Sequence, residues 1–194
     1  MTAISSLCVF CGSKAGADPA HAEAARRLGR LMAEKGIRLV FGGGRIGLMG
    51  ILADAHLAGG GKATGVIPEF LMDLEVEHTG VDEIVVTASM HARKTRMFEL
   101  ADGFVVLAGG LGTLDEAIEI VTWKQLHLHA KPVVIIDTGG YWSAFAGLIR
   151  RAIEGGFAHP KVMELFTMVA TPEEAFAALA VQPKPDKIVL TSHL

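Results

Sequence analysis

Two charged residues carry the chemistry that this chain could do. The first is Glu116. It follows a glycine-rich stretch, Gly109-Gly110-Leu111-Gly112-Thr113, which leaves a short apolar run, Phe104-Val105-Val106-Leu107. That run is rich in β-branched residues and too short for a helix, so it reads as a buried strand. Beyond the glycines, Leu114, Ala117, Ile118, Val121 and Gln125 recur at helical spacing. A strand, a glycine-rich turn and a helix N-terminus form an anion-binding geometry. Bare backbone N–H groups and the positive end of the helix dipole face the ligand, and glycines let it come close. A carboxylate in the first helical turn is foreign to a pure phosphate cradle. In one account Thr113 is the N-cap and Glu116, three residues on, reaches back to the Thr113 N–H as a capping box. In the other, Glu116 acts on whatever the turn binds.

The second residue is Arg93. It lies in a segment capped by Ser89 and running to about Ala101, with Met90, Met97 and Leu100 along one apolar stripe. Arg93 falls on that stripe, and an unpartnered guanidinium on a buried face costs several kcal/mol. Lys94 sits beside it near the helix start, where a cation opposes the helix dipole unless an anion is close. Arg93 is either half of a structural Arg–Glu pair or a group that leans into the cleft of Glu116 and binds an anionic substrate.

Three other patterns have plainer readings. Gly42, Gly44 and Gly47 spell G-x-G-x-x-G, but after the second strand, whereas the dinucleotide fingerprint belongs after the first. A tight turn close to a smaller nucleotide fits better. Cys8 and Cys11 have redox spacing but share a strand, where residues three apart face opposite sides, so they belong to the core. His127 and His129 have no carboxylate spaced to join them, so no metal is expected.

The elements that must position these groups alternate regularly. Strands are expected at Leu7–Cys11, Ile37–Phe41, Ala63–Ile67, Glu83–Thr87, Phe104–Leu107, Pro132–Asp137 and Phe166–Ala170. Helices are expected at about 19–35, 46–57, 89–101, from 113, 141–154 and after Thr171, with one helical turn between 69 and 82. Asp18 before Pro19 and Thr171 before Pro172 are N-cap signals, and Gly36 and Gly155 are stops. Short apolar strands alternating with helices imply a Rossmann-like three-layer α/β fold, a central parallel sheet with helices on both faces. Ligands of such sheets bind beyond the carboxyl ends of the strands at a topological switch point. The 194 residues suffice for one nucleotide-binding domain over 1–181, followed by a loosely held tail over 182–194. The net charge of −3 argues against nucleic acid. The N-terminus lacks the basic and long apolar regions of a signal peptide, and no apolar run is long enough to span a membrane, so a cytoplasmic protein is expected.

The segment Ser89–Met97 resembles the M-H-x-R-K-x-x-M motif of the Lonely Guy (LOG) family, the cytokinin riboside 5′-monophosphate phosphoribohydrolases. Gly109 to Glu116 is similar to the family's P-G-G-x-G-T-x-x-E signature, with Ala108 in place of the proline, and Gly42 to Gly50 resembles its G-G-G-x-x-G-L-M-G turn. The resemblance runs from Cys8 to about Glu154. It implies that Arg93 and Glu116 are the catalytic pair, and that Glu75, Lys94, the Gly109–Thr113 turn (Gly109, Gly110, Gly112, Thr113) and Thr122 contact the nucleotide. Met90, Gly43 and Gly44, within the matching motifs, join the substrate-binding candidates. It also implies a homodimer or higher oligomer, for which the helix with Met90 and Met97 and the helix after Thr113 could supply the surface. The expected activity is hydrolysis of the N-glycosidic bond of a cytokinin-type or adenosine monophosphate, to free base and ribose 5-phosphate, which needs no organic cofactor. Related folds include AMP nucleosidases and a molybdenum-cofactor carrier, so a nucleotide or cofactor carrier without turnover is the alternative, and Glu116 discriminates between the two. Relatives have also been called lysine decarboxylases; the residues show no pyridoxal-phosphate site. Alanine at 108 should leave the turn more mobile than proline would.

Overall fold

The computed structural model describes residues 4–72 and 77–181. Seven strands form one parallel sheet: β1 (Ser6–Phe10), β2 (Arg38–Phe41), β3 (Ala63–Pro68), β4 (Glu83–Thr87), β5 (Gly103–Val106), β6 (Val133–Ile136) and β7 (Thr167–Val169), in the order β4-β3-β2-β1-β5-β6-β7. The helices are α1 (Pro19–Glu34), α2 (Gly47–Ala58), α3 (Glu69–Met72), α4 (Met90–Leu100), α5 (Leu111–Gln125), α6 (Ser143–Glu154) and α7 (Pro172–Val181), with short 3-10 turns at Thr138–Gly140 and Pro160–Glu164.

Alternation along the strands builds the three layers. On one face Leu7, Val9, Leu39, Phe41, Val105 and Val134 pack beneath α1, α2 and α7. On the other, Cys8, Phe10, Val40, Phe104, Val106 and Val133 pack beneath α4, α5 and α6. Because parallel crossovers are right-handed, the helices change face where the direction of strand addition reverses. That reversal lies between β1 and β5, so the crevice between α1 and α5 opens at the carboxyl ends of those strands. The two cysteines lie buried in opposite core layers, as their strand spacing requires.

Helix ends follow their local signals. Asp18 accepts from the Ala20 N–H at 2.8 Å, Ser89 accepts from the Ala92 N–H at 3.1 Å, and Gly36, at φ +65°, closes α1. Among the described residues no helix is long and apolar enough to cross a membrane.

At the amino edge one carboxylate joins the two halves of the sheet. Asp102 Oδ2 accepts from the N–H and hydroxyl of both Ser5 and Ser6, at 2.7–3.1 Å. Partial burial opposes the charge, but these donors outweigh it and hold the carboxyl below its ordinary range. A depressed folded-state value contributes stability that is present above the ordinary carboxylate range, near 4, and is lost as pH falls through the folded value. Asp102→Ala is expected to cost about 2 kcal/mol at pH 7 in urea denaturation, with the gap from wild type closing below about pH 4.

Candidate active site

Three loops and one helix meet above the switch point. Gly12 and Ser13 follow β1, Gly42 follows β2, Gly110–Thr113 follows β5, and α4 crosses above them on its way from β4 to β5. They line a cleft of about 250 Å³ that also touches Cys11, Met49, Leu71, Met90, Arg93 and Glu116. Arg93 and Glu116, from two different helices, therefore border one space.

Arg93 is 5% exposed. Its Nε donates to the carbonyl of Val66 at 3.0 Å and Nη2 to the carbonyl of Gly42 at 2.9 Å, while Nη1 lies 3.8 Å from Met90 Sδ. The planar guanidinium thus caps the carboxyl ends of β2 and β3, which fixes its orientation. Glycine at 42 is obligatory for this. A Cβ there would lie 2.1 Å from Nη2 and 3.0 Å from Met49 Sδ.

Thr113 is not the N-cap. The cap is Gly110, α5 begins at Leu111, and no side chain bonds the first turn. The capping box is thereby excluded: Thr113 is already helical, and Glu116 lies in the second turn. The chain tightens earlier than the periodicity suggests because Gly109 lets the Thr113 side chain close over it; a Cβ on Gly109 would meet Thr113 Oγ1 at 2.1 Å. Gly112, Thr113 and Glu116 consequently share one face of α5, turned to the cleft. Side chains at Gly110 and Gly112 would meet nothing within 4 Å, so ligand atoms can reach the N–H groups of this turn.

The charges of both residues are felt at the floor of the cleft. Burial, then the negative charge of Glu116, raises the Cys8 thiol, while Arg93 opposes the rise; burial and Glu116 push Cys11 up as well. Cys11 lines the cleft but stays protonated, so it is no nucleophile at neutral pH.

The other expected residues divide. Met90 lies in the cleft wall. Lys94 turns aside: its Nζ is 3.0 Å from both Asp115 and Glu119, so the anions implied by its helix position are on α5. Burial works against that charge, but the two carboxylates prevail and raise the ammonium. Gly43, at φ +79°, and Gly44 lie behind Gly42; the Gly43 carbonyl accepts from the His78 N–H at 3.0 Å and Gly44 bridges Glu77. Thr122 bonds the Ile118 carbonyl at 2.8 Å and faces a groove between α5 and α6. Glu75 lies outside the described residues. Met97 is 1% exposed and belongs to the core, so it offers no surface for oligomerisation. Gly47, the third glycine of G-x-G-x-x-G, serves packing: a Cβ on it would meet the Ser13 carbonyl carbon at 2.3 Å. Sequence reasoning missed Gly12, Ser13, Leu71 and the cleft role of Cys11. The available signal was the strand order, since residues just past β1 must border a switch point next to β1.

Fold and site together define a doubly wound α/β protein whose switch-point cleft is lined by the Gly110–Thr113 turn, Arg93 and Glu116. A family model described as "Possible lysine decarboxylase" matches residues 49–179. A probable cytokinin riboside 5′-monophosphate phosphoribohydrolase of Oryza sativa subsp. japonica is 39% identical over 184 residues, 94% of this chain and 74% of the relative. A cytokinin riboside 5′-monophosphate phosphoribohydrolase of Arabidopsis thaliana is 39% identical over 183 residues, 94% and 84% of the two chains. The chain belongs to this LOG family. Among solved structures, a molybdenum cofactor carrier protein from Chlamydomonas reinhardtii superposes with a TM-score of 0.67 at 24% identity, covering 90% of this chain and 95% of that one. A molybdenum cofactor binding protein from Rippkaea orientalis gives 0.68 at 22%, covering 91% and 96%. At those identities the likeness is one of fold. The lysine with the most depressed ammonium among the described residues, Lys124, pushed down to about 8 by burial, sits near the far end of α5 and does not line the cleft.

Gly42→Ala is expected to leave the protein folded but to move the guanidinium, lowering turnover of the substrate proposed below about 10²-fold. Circular dichroism and a product assay check the two halves of that expectation.

Proposed function

We propose that this protein hydrolyses the N-glycosidic bond of a purine riboside 5′-monophosphate, releasing the free base and ribose 5-phosphate. The observation that carries the reading is the convergence of Arg93 and Glu116 on one cleft beside the uncapped N-terminus of α5. Membership of a family of phosphoribohydrolases supports it.

In this reading the 5′-phosphate sits on the N–H groups of the Gly110–Thr113 turn, where the helix dipole favours negative charge. The bond from C1′ to the base nitrogen breaks with its electron pair leaving on the base. Positive charge builds on the ribose, as in O-glycoside hydrolysis. Glu116 stabilises that charge and takes the proton of the water that attacks C1′. The departing base takes up one proton at nitrogen, matched by the one Glu116 accepts from water and later releases, and a hydroxyl remains on C1′. Arg93, locked on the carbonyls of Gly42 and Val66, favours the ionised carboxylate and adds positive charge near the phosphate. Both N6-prenylated adenine and adenine itself, as in AMP nucleosidases, are compatible with the reading, which takes the enzyme to work in the cytoplasm.

A homodimer completes the proposal. The helices α5 and α6 expose Ile118, Leu148 and, just after α6, Phe157, which is 83% exposed. They border an apolar groove of about 660 Å³ that Thr122 also lines. An exposed apolar groove of this kind supports a protein–protein contact there. Light scattering is expected to give at least a dimer mass, and Leu148→Asp to shift it toward the monomer.

The decisive test follows free base by chromatography from AMP and from isopentenyladenosine monophosphate. Wild type should release base from at least one of them. Glu116→Gln should lose about 10²–10⁴-fold, and Arg93→Ala a comparable factor, with the fold intact. Full turnover by Glu116→Gln would sink the assignment, and binding without any base released would favour a carrier.

A further inference from the structure

The turn that would take the phosphate has lost the proline that the family motif places before its glycines, and Ala108 stands there instead. Two adjacent glycines, Gly109 and Gly110, then follow with no side chain to fix the peptide between them. The structure nevertheless pins that peptide from outside. Tyr141 Oη donates to the Gly109 carbonyl at 2.5 Å, across 32 residues of sequence. The tyrosine ring is 45% exposed, and its backbone and one ring edge are held by neighbours. It leaves the Thr138–Gly140 turn at the carboxyl end of β6, and its neighbour Trp142 is buried and donates its N–H to Asp137 Oδ1 at 2.5 Å. The Tyr141 ring packs edge-on against His21 of α1, with centroids 5.3 Å apart.

We propose that Tyr141 is a positioning residue for phosphate binding, aiming the Gly110 N–H into the cleft by holding the Gly109 carbonyl. The reason is geometric. In a planar trans peptide the C=O of one residue and the N–H of the next point in opposite directions. Among the described residues no peptide is cis. Fixing the Gly109 oxygen toward Tyr141 therefore fixes the Gly110 N–H away from it. Gly110 is the N-cap of α5 and lines the cleft. Two neighbouring bonds restrain the rest of the turn: the Gly12 N–H donates to the Ala108 carbonyl at 3.0 Å and the Leu114 N–H to the Gly110 carbonyl at 3.0 Å. The Gly109–Gly110 peptide lies between them, and Tyr141 is the side chain that restrains it. The mobility expected of an alanine at 108 is thus countered by a hydroxyl from the end of β6.

This inference rests on the phosphate-binding part of the proposed function, and the test separates the two. Tyr141→Phe keeps the ring and its packing and removes the donor. Titration calorimetry of the full chain with ribose 5-phosphate should show a Kd raised about three- to tenfold. The KM for AMP should rise by a similar factor with kcat changed less than about twofold, while inhibition by adenosine, which lacks the phosphate, stays as in wild type. In the ligand-free variant the Gly110 amide resonance should shift and broaden. Unchanged ribose 5-phosphate affinity would overturn the proposal. So would equal weakening of adenosine and ribose 5-phosphate, or a fall in kcat alone, each of which marks a merely structural residue. Wild type that binds ribose 5-phosphate but releases no base sinks the hydrolase reading and leaves the comparison of Tyr141 with Phe intact. Wild type that binds neither ribose 5-phosphate nor AMP removes the phosphate turn, and Tyr141's role with it.

Discussion

The buried guanidinium of Arg93 is the constraint around which the carboxyl edge of the sheet is arranged. A cation with so little water around it must find its polar partners in the protein. It meets the carbonyl of Gly42, just past β2, and that of Val66, within β3. Three consequences follow from that one placement. Position 42 must be glycine, because the guanidinium occupies the volume of a Cβ. The start of α4 is tied to the ends of β2 and β3. A permanent positive charge is set in the cleft that Glu116 also lines, since arginine does not deprotonate in proteins.

Helices α4 and α5 are joined a second time through Lys94, which bridges Asp115 and Glu119. Two adjacent residues of α4 thereby divide the work. Arg93 turns toward the sheet and the cleft, and Lys94 turns toward the next helix and fixes the spacing between the two walls. The placement of Arg93 and Glu116 about the cleft is then a property of the scaffold rather than of loop side chains.

Most of the fold was legible in the sequence because its signals are local. The β-branched runs, the cap-then-proline starts at Asp18 and Thr171 and the glycine stop at Gly36 need no knowledge of neighbours. Arg93 and Glu116 were legible for a different reason: each violates a local expectation, a charge on an apolar stripe and a carboxylate at an anion-binding turn. What escaped depends on contacts far apart in sequence. Thr113 looks like an N-cap until Gly109 is seen to lie beneath its side chain. Lys94 reads as a ligand-binding cation until α5 brings Asp115 and Glu119 to it. Met97 reads as part of an oligomer surface with Met90 until the sheet is seen to cover it. Ser13 and Leu71 carry no chemistry by type and enter the cleft only through strand order.

The strand order has a consequence for how the protein is assembled in time. β1 comes early in the chain yet lies at the centre of the sheet, pairing with β2 on one side and β5 on the other. The first contact closes a short loop. The second joins residues nearly a hundred positions apart, as the Ser5–Asp102 bond, spanning 97, records. Loop-closure entropy and contact order make that pairing the slow one. During synthesis β1 to β4 can form while one edge of β1, apolar on both faces, waits for its partner, the kind of edge on which chains aggregate. The cleft is built across this same seam, with Gly12 and Ser13 on one side and the α5 turn on the other. The cleft therefore takes shape only once this pairing across the centre of the sheet has formed, before β6 and β7 complete the edge.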